Sequence, residues 1–224
     1  MERFNSQKRF TVIGNLVATS SVIMQLLLLY MLWEVKVGVV AQVMIFIIAY
    51  LFTDFINGLI HLVMDHHERY DLFYGPLVAQ FHIHHQTPKY IKKPLPSVYF
   101  HETGAKLWLV PFLLCILLFR ESIPPLVFHM LVYIGILSSV AEVSHYLCHT
   151  SMSPTALFLA RKRILLSKKH HAPHHAADNM NYAFLNGLSD PLINIIAKRF
   201  FRGYKKTTDL HFAEYTRGAG VSQR

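Results

Sequence analysis

The stretch "VGVVAQVMIFIIAYLFTDFINGLIHLVM", Val37 to Met64, runs directly into Asp65, His66 and His67. It exceeds the roughly 20 apolar residues that a helix needs to cross a bilayer core. Its second half nevertheless carries Asp54 and His61, and Asp65 follows at once. Asp54, Gly58, His61 and Asp65 recur at steps of four, three and four, which places them on one face of a helix. Ionisable groups inside a hydrophobic span are expensive and usually face a functional interior. Asp54 has a structural alternative, pairing with a polar group of another span. An imidazole and a carboxylate at i, i+4, as in His61 and Asp65, form a bidentate face for a metal ion.

The rest of the chain has the same apolar character. Of 224 residues, 53% are hydrophobic and only 16% charged, against about a quarter charged in an ordinary soluble domain. Four apolar stretches read as spans: Thr11 to Trp33, Val37 to Met64, Ala105 to Phe119 (short, with Pro111 inside) and Pro125 to Cys148. The turns at Glu34 to Lys36 and Glu121 to Pro125 make these into two helical hairpins. No cleavable signal peptide stands out, because the first apolar run is too long for one. Twenty of the 22 Lys and Arg residues fall on one side of this arrangement, with only Lys36 and Arg120 in the opposite turns. Basic loops mark the cytoplasmic side.

The expected fold is therefore an all-α integral membrane protein with about four transmembrane helices and a cytoplasmic histidine-rich cap. Its parts are a cytoplasmic N-terminus (1–10), a four-span membrane domain (11–149) with a histidine-rich loop (65–104), a cytoplasmic histidine-box helical region (150–200) and a basic tail (201–224). The net charge of +9 is that of a basic membrane protein rather than of a nucleic-acid reader, which the spans disfavour. Cys115 and Cys148 form neither a CxxC zinc pattern nor a disulfide framework.

Thirteen of the 15 histidines lie on the cytoplasmic side of this topology. His129 and His211 do not join them. In "AEVSHYLCHT", Glu142, His145 and His149 step by three and four, a second metal face at the equivalent depth of another helix. Glu142 reads as a group that holds a ligand imidazole in its tautomer. "FHIHHQTP" supplies His82, His84 and His85. "KKHHAPHH" supplies His170, His171, His174 and His175, of which residues at i and i+4 share a helix face while i+3 lies beside them. Pro173 fits best in a first helical turn, so this helix is expected to start near His171 or to kink there. About ten nitrogen and carboxylate donors without thiolates exceed one tetrahedral zinc site and suit two ions. Such a site at the end of a helical membrane domain is typical of non-haem di-iron lipid oxidation.

The ordered set "DFINGLIHLVMD", "FHIHHQTP", "HETG", "HYLCHT" and "KKHHAPHH…NGLSDPL" resembles the Kua-type lipid desaturases, histidine-box membrane di-iron enzymes, over about Thr53 to Leu192. The resemblance implies two iron ions, molecular oxygen and two external electrons, used to desaturate a chain of a membrane lipid. It points to His61, Asp65, His84, His85, His145, His149, His170, His171, His174 and His175 as metal ligands. Asp54, His82, Glu102 and Glu142 are candidates for a supporting shell. His66, His67, His82 and His101 stand where the family pattern has no expected histidine. No flavin, haem or iron–sulfur motif is present, so electrons come from a donor such as a cytochrome b5, or a ferredoxin with its reductase. The cytoplasmic cations Lys89, Lys92, Lys93, Arg161, Lys162, Arg163, Lys168 and Lys169 suit such a donor or anionic lipid head groups, although positive-inside topology alone accounts for most of them.

A fatty acid or sterol hydroxylase of the same chemistry is the nearest rival. A zinc-dependent membrane hydrolase is more distant, for want of an HExxH. A metal transporter needs ligands through both leaflets, whereas these gather at one face. The expected location is the endoplasmic reticulum or a bacterial inner membrane, with the site at the cytoplasmic face.

Overall fold

The computed structural model describes residues 8–67, 72, 74–86, 92–177 and 180–201. Residues 1–7, Arg69, Lys89, His211 and the basic tail from 202 onward lie outside the described residues. All regular structure among the described residues is helical. The helices are α1 (Lys8–Glu34), α2 (Val39–His66), α3 (Gly75–Gln86), α4 (Leu95–Thr103), α5 (Leu109–Leu118), α6 (Pro125–Thr150), α7 (Pro154–Arg161), α8 (Lys168–Ala177) and α9 (Asp190–Phe200).

Proline sets several of the starts. It stands in the first turn of α4, α6, α7 and α9, where its missing N–H costs no hydrogen bond and its φ is already helical. Ser153 caps α7 by accepting from the Ala156 N–H at 3.2 Å. Pro173, by contrast, lies inside α8. That helix begins at Lys168, ahead of the expected start near His171, with Ser167 Oγ accepting from the His170 N–H at 3.2 Å.

Among the described residues, three helices are long and apolar enough to cross a membrane: α1 from Val12, α2 and α6. The expected third span, Ala105 to Phe119, is not one of them. Only Leu109–Leu118 of it is helical, and ten residues rise about 15 Å, half of the roughly 30 Å hydrocarbon thickness. Residues 104–108 turn instead, so the apolar segment lies after α4 and only its later part forms α5.

Helix α6 is the hub, packed on α1, α2, α4 and α5. Leu28 and Leu32 of α1, Leu109, Leu113 and Ile116 of α5, and Phe128 and Val132 of α6 form one buried cluster. Polar ties cross this apolar bundle. Gln25 Nε2 donates to the Gly135 carbonyl and to Ser139 Oγ, both at 2.9 Å, and Asn57 Nδ2 donates to Ser138 Oγ at 3.2 Å. The outward faces of α1 and α2 remain apolar, with Leu16, Ile23, Leu26, Val43 and Phe52 exposed, as a lipid-facing surface requires.

A second cluster sits at the end of α2. Leu62 packs with Tyr182, Ala183, Ile193 and Ala197. The 180–189 segment lies close to α2 because residue 58 is glycine: a Cβ there would meet the Ala183 backbone at 3.1 Å. Asp54 fastens the segment. Its Oδ1 accepts from the N–H groups of Leu185 (3.2 Å), Asn186 (2.9 Å) and Gly187 (3.2 Å). Its Oδ2 accepts from the Ser189 N–H (3.0 Å) and hydroxyl (2.6 Å). The fully buried Asp54 is thus paid in backbone hydrogen bonds from a loop, rather than by a group on another span.

Removing this acceptor strands four N–H groups and a hydroxyl, at about 1–3 kcal/mol for each donor left buried and unpaired. Asp54→Ala should therefore cost about 3 kcal/mol or more, and Asp54→Asn, which keeps one acceptor oxygen, should cost less. Thermal unfolding in detergent checks this; an unchanged Tm for Asp54→Ala would show that the carboxylate does not hold the loop.

Candidate metal centre

Four helices bring their ligands to one end of the bundle. Helix α2 supplies His61 and Asp65, α3 supplies His84 and His85, α6 supplies His145 and His149, and α8 supplies His171, His174 and His175. These sort into two groups. One holds His84, His145, His149, His171 and His175; the other holds His61, Asp65, His85 and His174. Within each group the candidate ligand atoms all lie within 4.8 Å of one another. Neighbours in sequence are divided: His84 and His85 serve different groups, as do His174 and His175.

Hydrogen bonding alone does not satisfy this arrangement. In the five-histidine group, His145 Nε2 has three imidazole nitrogens around it: His84 Nε2 at 3.1 Å, His171 Nε2 at 3.0 Å and His149 Nε2 at 3.2 Å. A neutral imidazole nitrogen is either one donor or one acceptor. A cation with bonds of about 2.1 Å to nitrogen accounts for several nitrogens converging at such spacing. In the second group, Asp65 is fully buried, yet neither carboxylate oxygen accepts a hydrogen bond. His61 Nε2 and His85 Nε2 approach it at 3.4 Å, and His174 Nε2 at 3.6 Å. The donor set fits two metal ions.

The protein fixes the tautomers from behind. His61 Nδ1–H donates to the Tyr182 carbonyl at 2.8 Å, and His174 Nδ1–H to the Met180 carbonyl at 2.9 Å. Both Nε2 lone pairs are thereby turned to the site. Burial, reinforced by the neighbouring imidazoles, holds His84, His171 and His174 well below the ordinary histidine pKa. They are neutral, the form that ligates.

The other predicted residues have separate places. His170 belongs to neither group: its Nε2 lies 2.6 Å from Asp190 Oδ2. His82 Nε2–H donates to the Asp65 carbonyl at 2.9 Å and so ties α3 to the end of α2. His66 Nδ1–H donates to the Leu62 carbonyl of its own helix, and His101 is exposed. Asp54 holds the 185–189 loop.

Glu142 reaches no ligand. It pairs with Lys106 at 2.9 Å, both side chains being largely buried. Lys106 was not singled out by the sequence. Its Nζ also donates to Asn57 Oδ1 at 2.6 Å and lies 4.7 Å from the centroid of Phe184. The Phe184 ring in turn packs against His61 and His145, at 5.5 and 5.6 Å. Asn57 is one turn before His61, and Glu142 nearly one turn before His145. Lys106 therefore braces both ligand-bearing helices just beneath the ligands. Glu102 carries a carboxyl pushed up to about 7, by burial first and then by the Glu142 carboxylate, with Lys93 opposing.

Two histidine-rich groups compatible with metal binding, at the end of a bundle whose long apolar helices could cross a membrane, are what the fold and the geometry define. The lipid desaturase domain matches residues 50–211, and the chain belongs to that family, the one its ordered motifs resemble. No curated protein and no solved structure matches the chain.

Lys106→Met leaves Glu142 buried without its cation, and breaking such a pair costs about 3–5 kcal/mol. Unfolding in detergent should show that loss, and Lys106→Met combined with Glu142→Leu should recover most of it; a silent Lys106→Met would remove the brace. Glu102 has the opposite sign. A carboxyl raised above its ordinary value opposes folding as pH rises through that value and beyond. Glu102→Gln should match wild type near pH 4.5 and be the more stable at pH 8, and parallel stability profiles would contradict this.

Proposed function

We propose that this protein is a di-iron desaturase that introduces a double bond into an aliphatic chain of a membrane lipid. The observation that carries the reading is the pair of ligand groups, nine residues in all, at the end of an apolar helix bundle in a chain of the lipid desaturase family. Iron is favoured over zinc because nitrogen-rich groups of five and four donors, without thiolate, suit an oxygen-activating metal. The bound irons would supply the oxygen chemistry. The balance is one CH2–CH2 unit, O2, two electrons and two protons giving CH=CH and two waters.

The chain's own residues hold and orient the centre. Tyr182 and Met180 set the tautomers of His61 and His174. Lys106 spaces α2 from α6. Leu62, Tyr182 and Phe184 wall the ligands with apolar surface, which keeps bulk water from the reacting carbons. The electrons come from an external donor such as a cytochrome b5, or a ferredoxin with its reductase. The excess of basic residues on the ligand-bearing side supports a cytoplasmic active site, in the endoplasmic reticulum or a bacterial inner membrane.

Metal analysis of the purified protein, expressed with iron supplied, should give about two irons per chain. His61→Ala with His174→Ala should lose the ion of the four-residue group, and His145→Ala with His171→Ala that of the five-histidine group. Neither pair should desaturate lipid, while wild type with donor yields a product two hydrogens lighter. Zinc alone at about one per chain, or a product heavier by one oxygen, would overturn the assignment.

A further inference from the structure

Across α8 from the metal groups is a cavity of about 680 Å³. Its lining includes Arg161, Arg163, Lys168, Lys169, His170 and Asn186, with no Asp or Glu among the described residues that line it. None of the residues that line it belongs to either metal group, and on the α8 wheel Lys169 and Pro173 lie on the side opposite His171 and His175, so the cavity is separate from the metal centre. Four cations gathered on one hollow repel one another, and a bound anion relieves that repulsion in place. The amino end of α8, capped at the His170 N–H by Ser167 Oγ, turns its positive dipole end to the same hollow.

Two further features shape the lining. Asn186 is only 3% exposed; its Oδ1 accepts from the Leu188 N–H at 2.7 Å, and its buried amide lies against the Tyr50 hydroxyl. The backbone is also held in the left-handed region at three lining residues, Arg163 (φ 56°), Asn181 (φ 62°) and Gly187 (φ 81°). Arg163 and Asn181 are the non-glycine residues with positive φ among those described, a conformation that persists where surrounding contacts enforce it. Lys162, between the two arginines, does not line the cavity and lies over the Phe158 ring.

We infer that this cavity binds the phosphate of an anionic membrane-lipid head group. Arg161, Arg163, Lys168 and Lys169 supply the charge and the hydrogen-bond donors, and the α8 amino end adds its positive dipole end. A lipid rather than a free phosphate is indicated by the apolar side chains beside it: Leu157, on the rim, and Phe158 and Ile164 close by in sequence are all exposed. They place the head group at the level where chains enter the bilayer. The site does not depend on which reaction the metals perform.

The test uses the full chain in phosphatidylcholine nanodiscs with and without phosphatidic acid, reading Tm and the lipid retained in native mass spectrometry. Phosphatidic acid should raise the Tm of wild type and be retained at about one per chain. Arg161→Gln with Arg163→Gln should cut retention about tenfold or more, as loss of charge-assisted hydrogen bonds implies. Its iron content should stay at the wild-type value, which separates this result from any failure at the metal centre. Lys198→Gln with Arg199→Gln removes the same charge elsewhere and should retain the lipid. Equal retention in the two double variants, or no preference over phosphatidylcholine, would overturn the inference. Inorganic phosphate raising the Tm as much as phosphatidic acid would overturn the lipid assignment.

Discussion

The carboxylate of Asp54 gathers the loop on which the metal ligands rest. By accepting from Leu185, Asn186, Gly187 and Ser189, it folds the 185–189 loop against α2, and the neighbouring backbone does the rest. The Tyr182 and Met180 carbonyls orient His61 and His174, the Leu185 carbonyl accepts from Ser144 on α6 at 2.6 Å, and Asp190 holds His170 on α8. One segment without regular structure thus touches three of the four helices that carry ligands. A charge buried this deeply is tolerated because backbone amides surround it, the usual compensation for an ion removed from water.

Below the ligands the bundle uses a different device. Lys106, Glu142 and Asn57 form a buried polar bridge between α2 and α6. Gln25, Ser139 and Tyr99 form another between α1, α4 and α6, with the Tyr99 hydroxyl donating to Gln25 Oε1 at 2.8 Å. Apolar packing alone permits helices to slide, because one Leu contact resembles the next. Hydrogen bonds between named atoms fix one register, and in a lipid environment few competing partners exist.

Much of the ligand arrangement was legible in the sequence, because i, i+4 spacing is a local property of a helix. His61 with Asp65, His145 with His149, and His171 with His175 each share a group, and His174 falls beside its pair in the other. What was not legible depends on contacts far apart in the chain. Nothing near Asp54 reveals the loop more than 130 residues on that it accepts from, and nothing near Lys106 reveals Glu142. His170 looks like a ligand in "KKHHAPHH", and only its long-range contact with Asp190 sets it apart. The expected third span differs from the structure for a local reason that apolarity masks: residues 104–108 turn, and only Leu109–Leu118 after them is helical.

The division of adjacent histidines between the two groups has a mechanical consequence. His84 and His85 share one peptide bond, as do His174 and His175, and their ring centroids are 6.2 and 5.6 Å apart. The spacing of the two groups is therefore gauged by covalent geometry on α3 and α8, not by how tightly the helices pack. Lipid pressure or thermal breathing that shifts either helix carries both groups with it, and the gap between them behaves as a rigid ruler inside a compliant bundle.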